Sequence, residues 1–215
     1  MYNGQAQQDC FVLHCLKHKR NGTYVEIGSR DYKDINNTYL LETEYDWRGF
    51  MVEYDTSFLP SYILNRPNSY YLMMDATTIN FKRQFEKYNF PKNIDYLQLD
   101  LEADNRSTLT TLENLDSQVM NDYKFAVVTF EHDIYRGDFF NTRQVSRAIF
   151  QKHGYVRVFS DISNDNYSDA PNRYMPFEDW YVHPDLVDMN YINRIKRDEG
   201  MYSSDIMKIV KSEYI

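Results

Sequence analysis

The stretch TYVEIGSRDYKDINNTYLL, residues 23–41, decides how the rest of the chain is read. It begins as a buried β-strand, rich in Tyr, Val and Ile, and ends as a helix, with Gly28 where the strand stops. Strand, glycine turn and helix in that order open many nucleotide-binding α/β domains. Here the second and third glycines of G-x-G-x-x-G are missing, and no G-x-x-x-x-G-K-[ST] loop exists elsewhere. Both absences argue against NAD, FAD or hydrolysed ATP, whose phosphates need such loops at a helix N-terminus.

Outward from this stretch, short apolar runs recur at regular spacing. Residues 49–54, 70–74, 94–101 and 125–131 read as further strands. Helical stretches fall at about 36–44, 56–66, 78–88, 106–121 and 138–152, with a leading helix at about 5–19. Alternating strand and helix predicts a parallel sheet with helices on both faces. After residue 153 the pattern changes. Residues 154–162 and 174–182 read as strands joined by the polar loop 163–173, so they should be antiparallel. The expected fold is therefore α/β and Rossmann-like, a mostly parallel seven-stranded sheet closed by an antiparallel pair. Residues 1–215 read as one domain, with a helical tail from about 184.

Composition narrows the classes. With 42% hydrophobic and 26% charged residues, a packed core is expected and global disorder is not. A net charge of −8 argues against a nucleic-acid backbone as the main partner. No apolar run is long enough to span a membrane, and MYNGQAQQDC lacks a signal-peptide core. Cys10 and Cys15 are spaced to face different sides of one helix, so no disulfide is expected between them and a reducing, cytoplasmic location fits. The 20 Tyr and 13 Phe suit a groove for a polar ligand such as a sugar, or reflect compositional bias.

The informative feature is the placement of acids. Ligands of open α/β sheets bind beyond the carboxyl ends of the strands. Five consecutive strands deliver an acid there, at residues 26–28, 53–55, 75, 100–102 and 131–133. Glu53 stands where an acid reaches two ribose hydroxyls. Asp75 can accept from an adenine amino group. Gly28 permits close backbone approach, while Ser29, Asn37 and Thr38 offer donors to a carboxylate or phosphate. The plainer alternative is that each acid only caps the following helix. A cofactor with adenine and ribose but no phosphates needs the acids and one glycine; S-adenosylmethionine meets that description.

GQAQQDCFVL, the run from TYVEIG through NNTYLLETEYDWRGFMVEYD, IDYLQLDLEAD, FAVVTFEHD and GYV together resemble the FkbM-type family of S-adenosylmethionine-dependent O-methyltransferases, over roughly residues 4–160. The resemblance implies a class I methyltransferase fold and a sugar hydroxyl of a glycan or glycoconjugate as acceptor. The implied cofactor set is Glu26, Gly28, Ser29, Arg30, Asn37, Thr38, Glu53, Tyr54, Asp75, Ala76, Asp100 and Leu101, with Asp100 and Leu101 beside the reacting methyl. The family often has D-x-E-G-x-E where Ala103 and Asp104 stand here, which puts the roles of Glu102 and Asp104 in question. The Tyr/Asn/Asp-rich style is also similar to glycan-modifying methyltransferase domains of large DNA viruses, which would place the chain in a host cytoplasm.

Methyl transfer to a hydroxyl needs alignment and a base. Asp100, Glu131 and His132 are the candidates, His132 because it titrates near neutrality. Asp100, Glu102 and Glu131, with Asp104 and Asp133 nearby, form a hard-oxygen set for a divalent cation such as Mg or Mn. Tyr135, Arg136, Tyr167 and Trp180 are placed to meet the acceptor, or are ordinary core and surface aromatics and cations. O-methylation of a non-sugar small molecule and an inactive cofactor-fold binding module are the alternatives. The sequence leaves the oligomeric state open.

Overall fold

The computed structural model describes residues 2–165 and 173–214. The chain runs α1 (Gln8–Cys15), β1 (Thr23–Ile27), α2 (Tyr39–Tyr45), β2 (Arg48–Glu53), α3 (Leu59–Asn65), β3 (Tyr70–Met73), α4 (Phe81–Lys87) and β4 (Asn93–Leu99). It continues through α5 (Ser107–Gln118), β5 (Lys124–Glu131), α6 (Thr142–Lys152), β6 (Val156–Ser163), β7 (Pro176–Val182), α7 (Met189–Ile195), β8 (Arg197–Tyr202) and α8 (Ser203–Ser212).

The strands form one sheet in the order β3-β2-β1-β4-β5-β7-β6-β8. β1 to β5 pair in parallel, and β7 enters antiparallel between β5 and β6. Alternation along the central strands sorts side chains onto two cores. On one face Tyr24, Tyr96, Val127 and Trp180 pack with α1, α7 and α8. On the other, Val25, Leu97, Val128 and Phe130 pack with α4, α5 and α6. This winding on both faces is the Rossmann-like architecture expected from the sequence.

The C-terminal part departs from expectation. The tail is not wholly helical, because Arg197–Tyr202 forms an eighth strand parallel to β6 with shifts in register. Its sequence, RDEGMY, carries neither the β-branched content nor the alternation that marks a strand, so pairing with β6 alone imposes the conformation. The leading helix is also shorter than expected. Gln7 before it and Lys17 and His18 after it take positive φ values of 61°, 52° and 53°. Residues 2–7 instead form an N-terminal strap that turns at residues 4–6. α2 starts at Tyr39 rather than 36 because the Asn36 side chain accepts hydrogen bonds from the backbone N–H of Thr38 and Tyr39, at 3.1 and 2.8 Å. Both cysteines are free and buried.

Candidate active site

A cleft of about 880 Å³ opens beyond the carboxyl ends of β1, β2, β3 and β4, a size that suits a nucleoside-sized ligand. Its first wall is the turn after β1. Gly28 has φ 85°, and a Cβ there would collide with the Asp100 carbonyl. The glycine therefore serves contact between two backbone segments as well as approach to a ligand. The Gly28 N–H donates to the Val52 carbonyl at 3.0 Å, and the Asp100 N–H to the Ile27 carbonyl at 3.0 Å. The Ser29 hydroxyl also turns inward, to the carbonyls of Glu26 and Val52.

A buried polar network holds the loop after Gly28. Arg66, fully buried, donates to Glu42 at 2.8 Å, to the Tyr24 hydroxyl at 2.6 Å, to Thr38 Oγ1 at 2.7 Å and to the Tyr32 carbonyl at 3.0 Å. Thr38 donates in turn to Glu26 Oε2 at 2.9 Å, and Asn36 reaches the same oxygen at 3.1 Å. Thr38 thus lies beneath the loop and does not line the cleft, contrary to expectation: its hydroxyl is consumed by the network. Burial pushes Glu26 up to about 7, although Arg66 pulls against it. Asn37 does line the cleft, and its Oδ1 has no hydrogen-bond partner.

Glu53 faces the cleft from the end of β2. It accepts backbone N–H bonds from Arg30, Tyr54 and Asp55, each at 2.8 Å, which fixes its carboxylate against the turn after β1. Beside it Tyr54 is 76% exposed, so its ring is open to a ligand. After β3, Asp75 caps a short turn through Thr77 and also lines the cleft with Ala76. Capping and a site role coincide at this residue.

At the far end of the cleft stand Asp100, Leu101 and Glu131. The carboxyl groups of Asp100 and Glu131 stand beside each other at this buried end, where two full negative charges repel. Burial raises Asp100 to about 6. Burial and the Asp100 charge hold Glu131 well above the usual carboxylate range. Gln98, two residues before Asp100 on the same face of β4, also lines this end, as does Gln5 of the N-terminal strap. Gln98 was not among the residues named from the sequence, although alternation along β4 from Asp100 is a signal that could have found it; nothing in the sequence pointed to Gln5.

Several expected residues stand elsewhere. His132 turns to the opposite face of the sheet, where its Nε2 lies 3.5 Å from Asp179 and 3.6 Å from Asp161. Arg147 donates to Asp179 at 2.7 Å and lies 3.0 Å from Asp161, which Arg143 also binds at 2.9 Å. Burial opposes the charge on Asp179, yet His132 and Arg147 hold it well below the usual range. His132, Asp161 and Asp179 have metal-like spacing, but the two guanidiniums already satisfy the carboxylates.

Of the expected hard-oxygen set, Asp100, Glu102 and Glu131 all line the cleft, while Asp104 and Asp133 nearby do not. Arg136 donates to Glu102 at 3.2 Å, Asp104 at 2.9 Å and Asp133 at 2.9 Å, tying the loop after β4 to the loop after β5. Those three acids share one cation of the chain itself, which offsets part of their charge. Arg136 is thus a clasp between loops and does not line the cleft. Trp180 is fully buried and stacks on Phe11 with ring centroids 4.8 Å apart. Tyr135 is half-buried against the same core. Tyr167 lies outside the described residues.

No protein-family model and no curated protein matches the sequence. Among solved structures, the chain is similar to a candidate rRNA methylase of Clostridium thermocellum, with TM-score 0.52 and 11% identity over 85% of this chain and 96% of that one. It is also similar to a candidate DNA modification methyltransferase encoded within a prophage (E. coli). There the TM-score is 0.50 and the identity 10%, over 77% of this chain and 47% of that chain. At these identities the likeness is one of fold, and the fold is that of the class I methyltransferases.

Proposed function

From the class I methyltransferase fold and the chemistry of its cleft, we propose that the chain is an S-adenosylmethionine-dependent methyltransferase acting on a hydroxyl. The observation that carries this reading is the Asp100–Glu131 pair, two neighbouring buried carboxyls held above the usual carboxylate range at the end of a cleft whose other end offers Glu53, Tyr54 and Asp75. When bound, S-adenosylmethionine supplies a methyl group on a sulfonium. Glu53 suits the two ribose hydroxyls, Asp75 and Ala76 the adenine, and Tyr54 the face of a ring. The turn at Gly28, with Asn37 and Arg30, suits the amino-acid end, where the unpaired Asn37 Oδ1 seeks a donor. The carboxyl pair holds an acceptor hydroxyl and takes its proton.

The sequence resemblance to FkbM-type enzymes, including those of large DNA viruses, favours a glycan or glycoconjugate hydroxyl. The polar lining of the cleft agrees with a sugar. In this reading the proton passes to the carboxyl pair and no divalent cation is required, because Arg136 already ties down the neighbouring acids. The free, buried Cys10 and Cys15 fit the reducing environment of a cytoplasm. No helix among the described residues is long and apolar enough to cross a membrane.

Calorimetric titration with S-adenosylhomocysteine tests the cofactor assignment. Wild type should bind and Glu53→Ala should bind at least about tenfold more weakly, the worth of a charge-assisted hydrogen bond. Absence of binding by wild type would refute the reading and leave a binding module. Transfer of labelled methyl to a glycan panel and to small phenols and alcohols then separates sugar from non-sugar acceptors.

A further inference from the structure

Resting on the methyltransferase reading, the cleft also indicates the chemistry of the acceptor. Seven carboxyl side chains line it against one guanidinium, that of Arg30. With Glu102 bound by Arg136 and Glu26 held by Asn36 and Thr38, Asp34, Glu53, Asp75, Asp100 and Glu131 are left for a ligand, more than a cofactor with a single net positive charge can match. The imbalance is sharpest at the Asp100–Glu131 end. Glu178 stands opposite Glu131 across β5 and β7 and is held by the Gln8 amide at 2.8 Å. The other charged groups facing the pair are Arg30, which draws Asp100 down, and Glu102 and Asp133, both already bound by Arg136. No lysine or arginine among the described residues forms an ion pair with Asp100, Glu131 or Glu178.

A second observation comes from an uncharged residue. Gln98 lines the same end of the cleft and is only 3% exposed, yet its Oε1 has no hydrogen-bond partner. A buried amide oxygen without a donor is costly, and a ligand N–H relieves it. Gln5 completes the roof, its carbonyl accepting from Asn164 Nδ2 at 3.0 Å.

We propose that this corner, formed by Gln98, Asp100 and Glu131 under Gln5, binds an ammonium group carried by the acceptor next to the hydroxyl that is methylated, as in an amino sugar with a free amine. The ammonium donates to Gln98 and Glu131 and displaces to solvent the proton that the raised carboxyl pair otherwise retains. Both carboxyls are then ionised, and one oxygen is free to receive the hydroxyl proton. As the bond from acceptor oxygen to methyl carbon forms, the carbon–sulfur bond breaks and its electron pair stays on sulfur. The hydroxyl proton ends on the carboxylate, so an amine-bearing acceptor frees its own base.

Chitosan, chitin and cellulose oligosaccharides carry an amine, an acetamide and a hydroxyl at the same ring position. Each is offered to the full chain with labelled S-adenosylmethionine at about pH 6, where a substantial share of the amine is protonated and the pair has begun to ionise. The amine series should be labelled at least about tenfold faster than either neutral series, the worth of a charge-assisted hydrogen bond. Gln98→Met should shrink that preference while S-adenosylhomocysteine binding, followed by calorimetry, persists. Equal or faster labelling of a neutral series overturns the proposal, as does failure to label the amine series by a protein that binds S-adenosylhomocysteine. That second result leaves the methyltransferase reading standing. Absence of S-adenosylhomocysteine binding by wild type would remove both.

Discussion

The Cβ that a side chain at Gly28 would carry falls on the carbonyl oxygen of Asp100. The turn after β1 and the end of β4 therefore meet backbone to backbone, and this contact joins the Glu53 end of the cleft to the carboxyl pair. Gly28→Ala combines that collision with a strained positive φ. It should cost roughly 2–4 kcal/mol of stability and abolish S-adenosylhomocysteine binding. Chemical denaturation and calorimetry measure the two effects.

Arg66 is the hidden support of the same loop. Its guanidinium meets Glu42, Tyr24, Thr38 and Asn36, all buried, and the partly buried Tyr32 carbonyl. Arg66→Met leaves Glu42 charged and buried without its partner. A loss of about 3–5 kcal/mol is expected in urea unfolding, with weaker cofactor-product binding even though Arg66 touches no ligand.

Stability should peak on the acid side of neutrality. Burial raises Glu26 from 4.5 to about 7, and Asp9 and Asp100 from 3.8 to about 6. Between the unfolded and folded values the native state holds the extra protons, so stability falls as pH rises from about 4 to 7. Asp179 is shifted down, and its contribution is lost as pH drops below about 4. Melting temperature against pH should therefore pass through a maximum near pH 4–5. Glu26→Gln should flatten the fall toward neutrality.

Glu131→Gln removes the base partner without touching the adenosine end. Methyl transfer should drop by about 10²–10⁴-fold while S-adenosylhomocysteine still binds. In wild type the rate with a neutral acceptor should climb with pH through about 6, as the Asp100–Glu131 pair loses its first proton. Rate against pH for the two proteins reads both effects.

Because Arg136 occupies Glu102, Asp104 and Asp133, transfer should persist in excess EDTA. A chelator-sensitive rate restored by Mg or Mn would require Arg136 to leave those acids and would overturn the metal-free mechanism.

Much of this was legible in the sequence, and the failures have physical causes. β1 to β7 were visible because buried strands concentrate β-branched and aromatic residues between polar segments. Their terminal acids could be read because strand ends are fixed by those same runs. His132 was misjudged although alternation forbids it the cleft: once Glu131 faces the ligand side, its neighbour must face the other. Thr38 and Arg136 could not be read locally, since their partners come from loops distant in sequence. Trp180 was ambiguous because an indole serves a core or a ligand equally well.

The eighth strand bears on how copies of the chain meet. Without β8, the sheet would end at β6, whose eight-residue, half-apolar run would offer an unpaired row of N–H and carbonyl groups to any other strand. β8 covers that row and substitutes a boundary that is short, irregular in register and charged, with Arg197, Asp198 and Glu199. Such an edge is a poor template for strand addition. A segment that takes no part in the cleft thus guards the protein against aggregation.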